Sequence, residues 1–273
     1  MSVKSPISWM GGKFQQRHSI VNLLPRHTCY VEVFSGGAHV LLAKPPSISK
    51  VEVLNDINNN LMHFWLVSRD YGDLLVEMLN NLPYSRTLYQ QWKNEPLPSD
   101  SLEKAVRWFY ICWAYSGQYS FAKEFRCSTE LIKGLKDRLK NVLIECVDFR
   151  QIISKYDNKD TIFFADPPYD GQLNKEHYYG RKHNIIPQFN EQDHIDLATL
   201  LNNIKGKALV CYYPTDLIKE LYPEPKWTWL PYKKVLHSRK ADGKTKKPYK
   251  EEVILMNYHM LEHLFSEDKE ELE

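Results

Sequence analysis

Cysteine is scarce and unpatterned in this chain. Cys29, Cys112, Cys127, Cys146 and Cys211 are odd in number and form no CxxC pair. Most lie inside apolar segments, which points to reduced core thiols and away from a disulfide frame or a zinc site. Long apolar runs are also missing: none approaches the length of a membrane span. The N-terminus, Met1-Ser2-Val3-Lys4-Ser5-Pro6, lacks the apolar stretch of a signal peptide. The expectation is a soluble, cytoplasmic protein. No internal repeat or low-complexity segment stands out. A full GxGxxG dinucleotide fingerprint is absent as well, which argues against a nicotinamide dehydrogenase.

What is present is ordinary globular material, 43% hydrophobic and 26% charged over 273 residues, enough for one or two domains with a large core. Apolar, β-rich segments at Cys29–Phe34, Lys50–Leu54, Asn141–Val147, Thr161–Ala165, Ala208–Tyr212 and Glu251–Tyr258 read as strands. Helices are expected after Gly37 and across Asn58–Arg69 and Gln192–Asn202. This alternation predicts an α/β fold with a mainly parallel sheet and helices on both faces. Between residues 71 and 139 the alternation lapses into helices at Asp73–Asn81, Leu88–Trp92, Leu102–Ser116 and Thr129–Leu139. We read 71–139 as an inserted helical region and 1–70 with 140–273 as the main domain. The aromatic helix at Leu102–Ser116 is expected to be core of that insertion.

Three stretches carry chemistry. The apolar run Thr161–Ala165 ends at Asp166-Pro167-Pro168-Tyr169. Proline fixes φ and has no N–H, so this carboxylate, prolyl carbonyl and ring form a rigid polar edge beside a stacking face. The combination suits a planar heterocycle with an exocyclic amine. Earlier, Val31-Glu32-Val33-Phe34-Ser35-Gly36-Gly37-Ala38-His39-Val40 reads as strand, glycine turn and helix start, where backbone can approach a ligand closely. The next strand ends at Leu54-Asn55-Asp56, an acid placed to bind ribose hydroxyls. At the N-terminus Ser8-Trp9-Met10-Gly11-Gly12-Lys13 offers an aromatic, two glycines and a cation, either as cofactor contacts or as a surface turn with a packed tryptophan.

The near-neutral total of +2 conceals a polarised distribution. Lys233, Lys234, Arg239, Lys240, Lys244, Lys246, Lys247 and Lys250 cluster with a single acid, Asp242, while Glu267–Glu273 carries five acids. A basic stripe suits a polyphosphate, because neutralising phosphates releases counterions; a solvated loop is the plainer alternative. His177, Tyr178, Tyr179, Arg181, Lys182 and His183 read as a flap over a bound base. Its two histidines lack an acid–histidine ligand pattern, so no metal site is expected there.

In order along the chain, Trp9–Lys13, Phe34–Gly37, Asn55–Asn58 and Asp166–Tyr169 resemble the Dam-like family of adenine-specific DNA methyltransferases. Asp170-Gly171, Phe189–Leu197 and the closing strand Glu251–Tyr258 extend the similarity nearly from end to end. The resemblance implies a class I S-adenosylmethionine-dependent methyltransferase sheet with a target-recognition region inserted before Asp166. It implies S-adenosylmethionine contacts from Trp9, Lys13, Phe34, Gly36 and Asp56, from Asp148 and Phe149 at the next strand end, and from Asp166. Catalysis falls to Asp166, Pro167 and Tyr169. Lys233, Lys234, Arg239, Lys240, Lys244, Lys246 and Lys247 would hold double-stranded DNA; Lys123, Arg126 and Ser116–Ser120 are further candidates. A monomer of bacterial or phage origin, with or without a restriction partner, is the family's default. One departure is Ala38, where many relatives have another glycine.

Under this resemblance, Asp166 and the Pro167 carbonyl accept both hydrogens of the adenine amine, pulling the nitrogen toward tetrahedral geometry. Tyr169 stacks on a base flipped out of the duplex. Unperturbed Asp has a pKa near ~3.9, too weak a base to remove the amine proton first, so direct in-line transfer is expected. Two alternatives stay open: methylation of another planar amine or amide (cytosine, an RNA base, a protein glutamine), and a non-catalytic DNA-binding relative.

Overall fold

The computed structural model describes residues 3–7, 9, 11–114, 129–168, 189–235 and 249–259. Its strands are β1 (Cys29–Glu32), β2 (Val51–Asn55), β3 (Val142–Glu145), β4 (Thr161–Ala165), β5 (Lys207–Tyr212), β6 (Thr228–Val235) and β7 (Tyr249–Met256). They form one seven-stranded sheet in the order β3-β2-β1-β4-β5-β7-β6. β3, β2, β1, β4 and β5 are parallel, and β7 is antiparallel to both β5 and β6. This is the mainly parallel sheet with helices on both faces expected above.

The helices are α1 (Arg17–Leu23), α2 (His39–Ala43), α3 (Asn59–Asp70), α4 (Gly72–Asn80), α5 (Arg86–Asn94), α6 (Ser101–Ala114), α7 (Glu130–Lys133), α8 (Leu135–Leu139), α9 (Phe149–Tyr156), α10 (Glu191–Asn203) and α11 (Asp216–Leu221). Alternation along the strands creates two cores, one per face. Tyr30, Leu54, Ile162, Phe164, Leu209, Cys211, Ile254 and Met256 pack against α1 to α4 and α6 to α8. Their sequence neighbours Val31, Val53, Phe163, Ala165, Ala208, Val210, Val253 and Leu255 pack against α9, α10 and α11. Burial on both faces explains why the central strands read as continuous apolar runs.

Several helix starts are set by side chains that satisfy orphan N–H groups. Asn58 accepts from Asn60 and Leu61 at the start of α3, Asp100 from Glu103 ahead of α6, and Asp148 from Arg150 at α9. Asn190 and Asp193 close a capping box on α10.

The structure revises some expected elements. The helix expected across Thr129–Leu139 is broken at Gly134 into α7 and α8; glycine is a poor helix interior residue. β6, α1, α9 and α11 were not foreseen. In the inserted stretch, Trp108, Phe109 and Tyr110 of α6 are buried as expected. Phe109 stacks on Phe64 of α3 at 4.8 Å, so helices from residues 72–114 share one core with the sheet face. Among the described cysteines, all free, Cys211 is buried but Cys146 is exposed rather than core. Among the described residues no helix is long and apolar enough to cross a membrane.

Candidate active site at the sheet's switch point

Strand order reverses beside β1: β2 and β3 lie on one side of it, β4 and β5 on the other. In parallel sheets such a reversal opens a crevice at the carboxyl ends of the strands, where ligands bind. The residues leaving those ends are Phe34 after β1, Asp56 after β2, Asp148 beyond β3 and Asp166 after β4. Four of the motif segments therefore converge on one edge.

Asn55 fastens that edge. Its amide donates to the Val33 and Val147 carbonyls at 3.0 and 3.1 Å, and its oxygen accepts from Val147 N–H at 3.1 Å. The ends of β1, β2 and β3 are thus tied through one side chain. Asp56, next in sequence, accepts from Gly36 N–H and Asn58 N–H, both at 3.0 Å. Burial raises its pKa, against those backbone hydrogen bonds, which lower it. The expected ribose acid is therefore also the clamp between the glycine turn and the start of α3.

In the glycine turn, Gly36 has φ +45° and Ala38 φ +53°. Ala38 holds a left-handed conformation that glycine adopts at less cost, so the departure noted in the sequence is a point of backbone strain. A Cβ on Gly36 would lie 2.5 Å from the Trp9 indole. The close approach that glycine permits here is taken by Trp9 rather than by open space. His39 stands against Gly12 and Gly37 in the same way. Burial, reinforced by Arg17, lowers its pKa to about 4, so the packed ring is a neutral imidazole. The two N-terminal glycine motifs are thus interlocked by an indole and an imidazole.

The most charged part of the crevice is built on Lys13, which is 2% exposed. Its ammonium donates to Asp166 Oδ1 at 2.6 Å and to the Gly11 carbonyl at 3.3 Å. Glu252 Oε2, on β7, lies 3.7 Å away with its side chain fully buried. Burial opposes the ammonium, yet Asp166, Cys211 and Glu252 together outweigh it and raise the pKa above the ordinary lysine value. The Tyr232 hydroxyl of β6 donates to Glu252 Oε2. Asp166 is partly open, its side chain 15% exposed, and Pro167 is buried beneath it. Lys13 was expected to contact the cofactor; the carboxylate it meets in the fold is that of Asp166.

Beside the β1 and β3 ends, Phe34, Phe149 and Phe189 form a ring cluster with centroids 5.6–5.7 Å apart. Arg150 covers Phe149 at 4.2 Å and bridges Asp148, Asp193 and Asp196, which fixes α9 against α10. Asp148 is thereby a helix cap and an ion-pair partner.

Three site residues escaped the sequence reading. Phe189 was seen only as part of a similar segment. Tyr232 lies in the unforeseen β6. Glu252 carried a signal that was not used: at period two it shares a face with Ile254 and Met256, and a carboxylate on an apolar strand face implies a buried partner.

Tyr169, the flap at 177–183, Lys123, Arg126, Ser116–Ser120 and the acidic Glu267–Glu273 lie outside the described residues. So do Arg239, Lys240, Lys244, Lys246 and Lys247. The basic segment was expected as a loop, but its ends are strand. Lys233 and Lys234 of β6 pair in register with Glu251 and Lys250 of β7, so only 236–248 connect the two.

The chain is similar to known proteins over most of its length. A Type II methyltransferase of Methanocaldococcus jannaschii (M.MjaIII) is 26% identical over 94% of this chain and 100% of its own length. A Type II methyltransferase of Paramecium bursaria Chlorella virus NC1A (M.CviBI) is 21% identical over 81% of this chain and 86% of its own. The DNA adenine methylase of Haemophilus influenzae is 20% identical over 79% and 82% respectively. A family model matches residues 9–111 and 113–237, which span all the strand ends just described except β7. By that match the chain is a member of the D12 class N6 adenine-specific DNA methyltransferases.

Proposed function

We propose that this protein transfers the methyl group of S-adenosylmethionine to the exocyclic amine of an adenine flipped out of duplex DNA. The observation that carries the reading is the position of Asp166. It leaves the buried strand β4 at the sheet's switch point, partly open, and held by a buried ammonium 2.6 Å away.

The described residues fit the cofactor. Asp56 accepts backbone N–H groups of Gly36, Asn58 and Ile57, and an ionised carboxylate has about four lone-pair sites, so capacity remains for a ribose hydroxyl. Phe34, Phe149 and Phe189 offer ring surface for a purine at the adjoining strand ends. Trp9 walls the glycine turn between them. Bound S-adenosylmethionine supplies a methyl group already activated on a sulfonium. The chain's own task is alignment and local charge.

Asp166 and the Pro167 carbonyl accept the two amine hydrogens and aim the nitrogen lone pair. Lys13 fixes the rotamer of Asp166 by holding Oδ1, so no reorganisation is needed when charge develops. Such positioning contributes on the order of 7–11 kcal/mol in favourable systems. Tyr169 stacks on the extruded base and offsets part of the unpairing cost. The basic segment between β6 and β7 holds phosphates, which sets the duplex in place without reading it.

The test is to supply the cofactor with a labelled methyl group alongside DNA, RNA and protein in separate reactions. Label in DNA adenine is expected. Label confined to cytosine, RNA or protein, or absent throughout, overturns the reading.

A further inference from the structure

Lys13 has more negative company than its own charge requires. Asp166 at 2.6 Å already forms a complete ion pair with the buried ammonium. Yet β7 places a second carboxylate, Glu252, 3.7 Å from the same nitrogen with its side chain 0% exposed. Burying a further charge is costly unless it is paired and hydrogen-bonded. The fold meets that demand locally: the Tyr232 hydroxyl, one strand over on β6, donates to Glu252 Oε2. Tyr232 and Glu252 face each other directly in the β6–β7 register, so the pair is built into the sheet. Cys211 of β5 is a further titratable neighbour of Lys13.

From this we infer that Glu252 is a positioning residue for methyl transfer, sharing the Lys13 ammonium so that Asp166 faces the adenine amine with more of its negative charge uncancelled. The inference rests on the functional reading above. In the reaction, positive charge leaves the donor sulfur and develops on the amine nitrogen. A lone Lys13–Asp166 pair is neutral in sum and offers that charge little. With Glu252 ionised the trio carries one net negative charge, close by and shielded from water, where Coulomb effects are strongest. The Tyr232 hydroxyl anchors Glu252 Oε2 3.7 Å from the ammonium, which leaves Asp166 as the nearer partner at 2.6 Å.

Single-turnover methylation of a DNA duplex, with saturating cofactor, separates charge from shape. Glu252→Gln keeps the shape and can still accept from Tyr232, but has no charge; Glu252→Asp keeps the charge on a shorter arm. The expected result is a single-turnover rate reduced at least ~10-fold in Glu252→Gln, with Glu252→Asp faster than Glu252→Gln. Affinities for S-adenosylhomocysteine and DNA, measured by calorimetry, are expected to stay at wild-type values. Wild-type rate in Glu252→Gln, or Glu252→Asp slower than Glu252→Gln, overturns the inference. So does a loss confined to cofactor affinity. Should Glu252→Gln not fold, Tyr232→Phe removes the anchoring hydroxyl and is expected to slow transfer; an unchanged rate overturns the inference. A wild-type protein that methylates no DNA sinks the functional reading and this inference with it. Wild-type activity beside an insensitive Glu252→Gln sinks the inference alone.

Discussion

The individual side chains behind the strand ends are tuned by what they pack against, and His39 shows the consequence. It packs as a neutral ring against Gly12 and Gly37, with its pKa lowered from 6.5 to about 4 by burial and then by Arg17. The unfolded chain therefore takes up a proton near pH 6.5 while the folded one resists it. Stability from this group is complete above that pH and is lost as pH falls toward 4, on the order of 3 kcal/mol in all. Urea melts between pH 7 and pH 4 are expected to show this loss, and His39→Gln, which does not titrate, to flatten it. An equal acid sensitivity in the variant contradicts the assignment. Asp56 and Asp148 have a double character: each was legible as an acid at a strand end, while its backbone or arginine partner was not. Residue type and spacing announce chemistry; they do not announce which nearby N–H or cation will be met in three dimensions. Lys13 is the clearest case, since its carboxylate partner lies 153 residues away.

At the scale of elements, the strand ends are held in common by Asn55, whose amide joins β1, β2 and β3. Asn55→Ala leaves the buried Val33 carbonyl and the half-buried Val147 carbonyl and N–H without that partner. A loss of about 2–4 kcal/mol in folding stability is expected from chemical denaturation, together with weaker S-adenosylhomocysteine binding. A variant as stable as wild type would remove Asn55 from this role. The β6–β7 hairpin makes a second prediction. Its connecting segment carries Arg239, Lys240, Lys244, Lys246 and Lys247. Replacing all five by Ala is expected to weaken duplex DNA binding for every sequence tested and to make the salt dependence of affinity shallower by up to ~4 in log–log slope. An unchanged slope would take this segment off the phosphates. Most strands were visible in the sequence because buried parallel strands are uninterrupted apolar runs. β6 was not, since Thr228-Trp229-Leu230-Pro231-Tyr232-Lys233 mixes proline and lysine into its length. Both are characteristic of an edge strand, and β6 is one. α9 and α11, at eight and six residues, are too short to establish a period.

For the molecule as a whole, the fold class followed from alternating strands and helices, but the order of strands did not. Local periodicity says which segments are strands, not that β1 lies between β2 and β4. That single reversal brings Phe34, Asp56 and Asp166 to one crevice and turns separate motifs into a site. Two cores, one on each face, clamp it rigidly, with the helices of residues 72–114 reinforcing the face that carries Lys13 and Glu252. On the function proposed above, Asp166 presents the adenine amine for methylation. The most direct test of this role is nucleoside mass spectrometry of duplex DNA after incubation with S-adenosylmethionine and either wild-type protein or Asp166→Ala. N6-methyladenine is expected with the wild type and none with the variant, although the variant still binds DNA. Methylated adenine at wild-type yield from Asp166→Ala, or a methyl group on cytosine alone from the wild type, would contradict it.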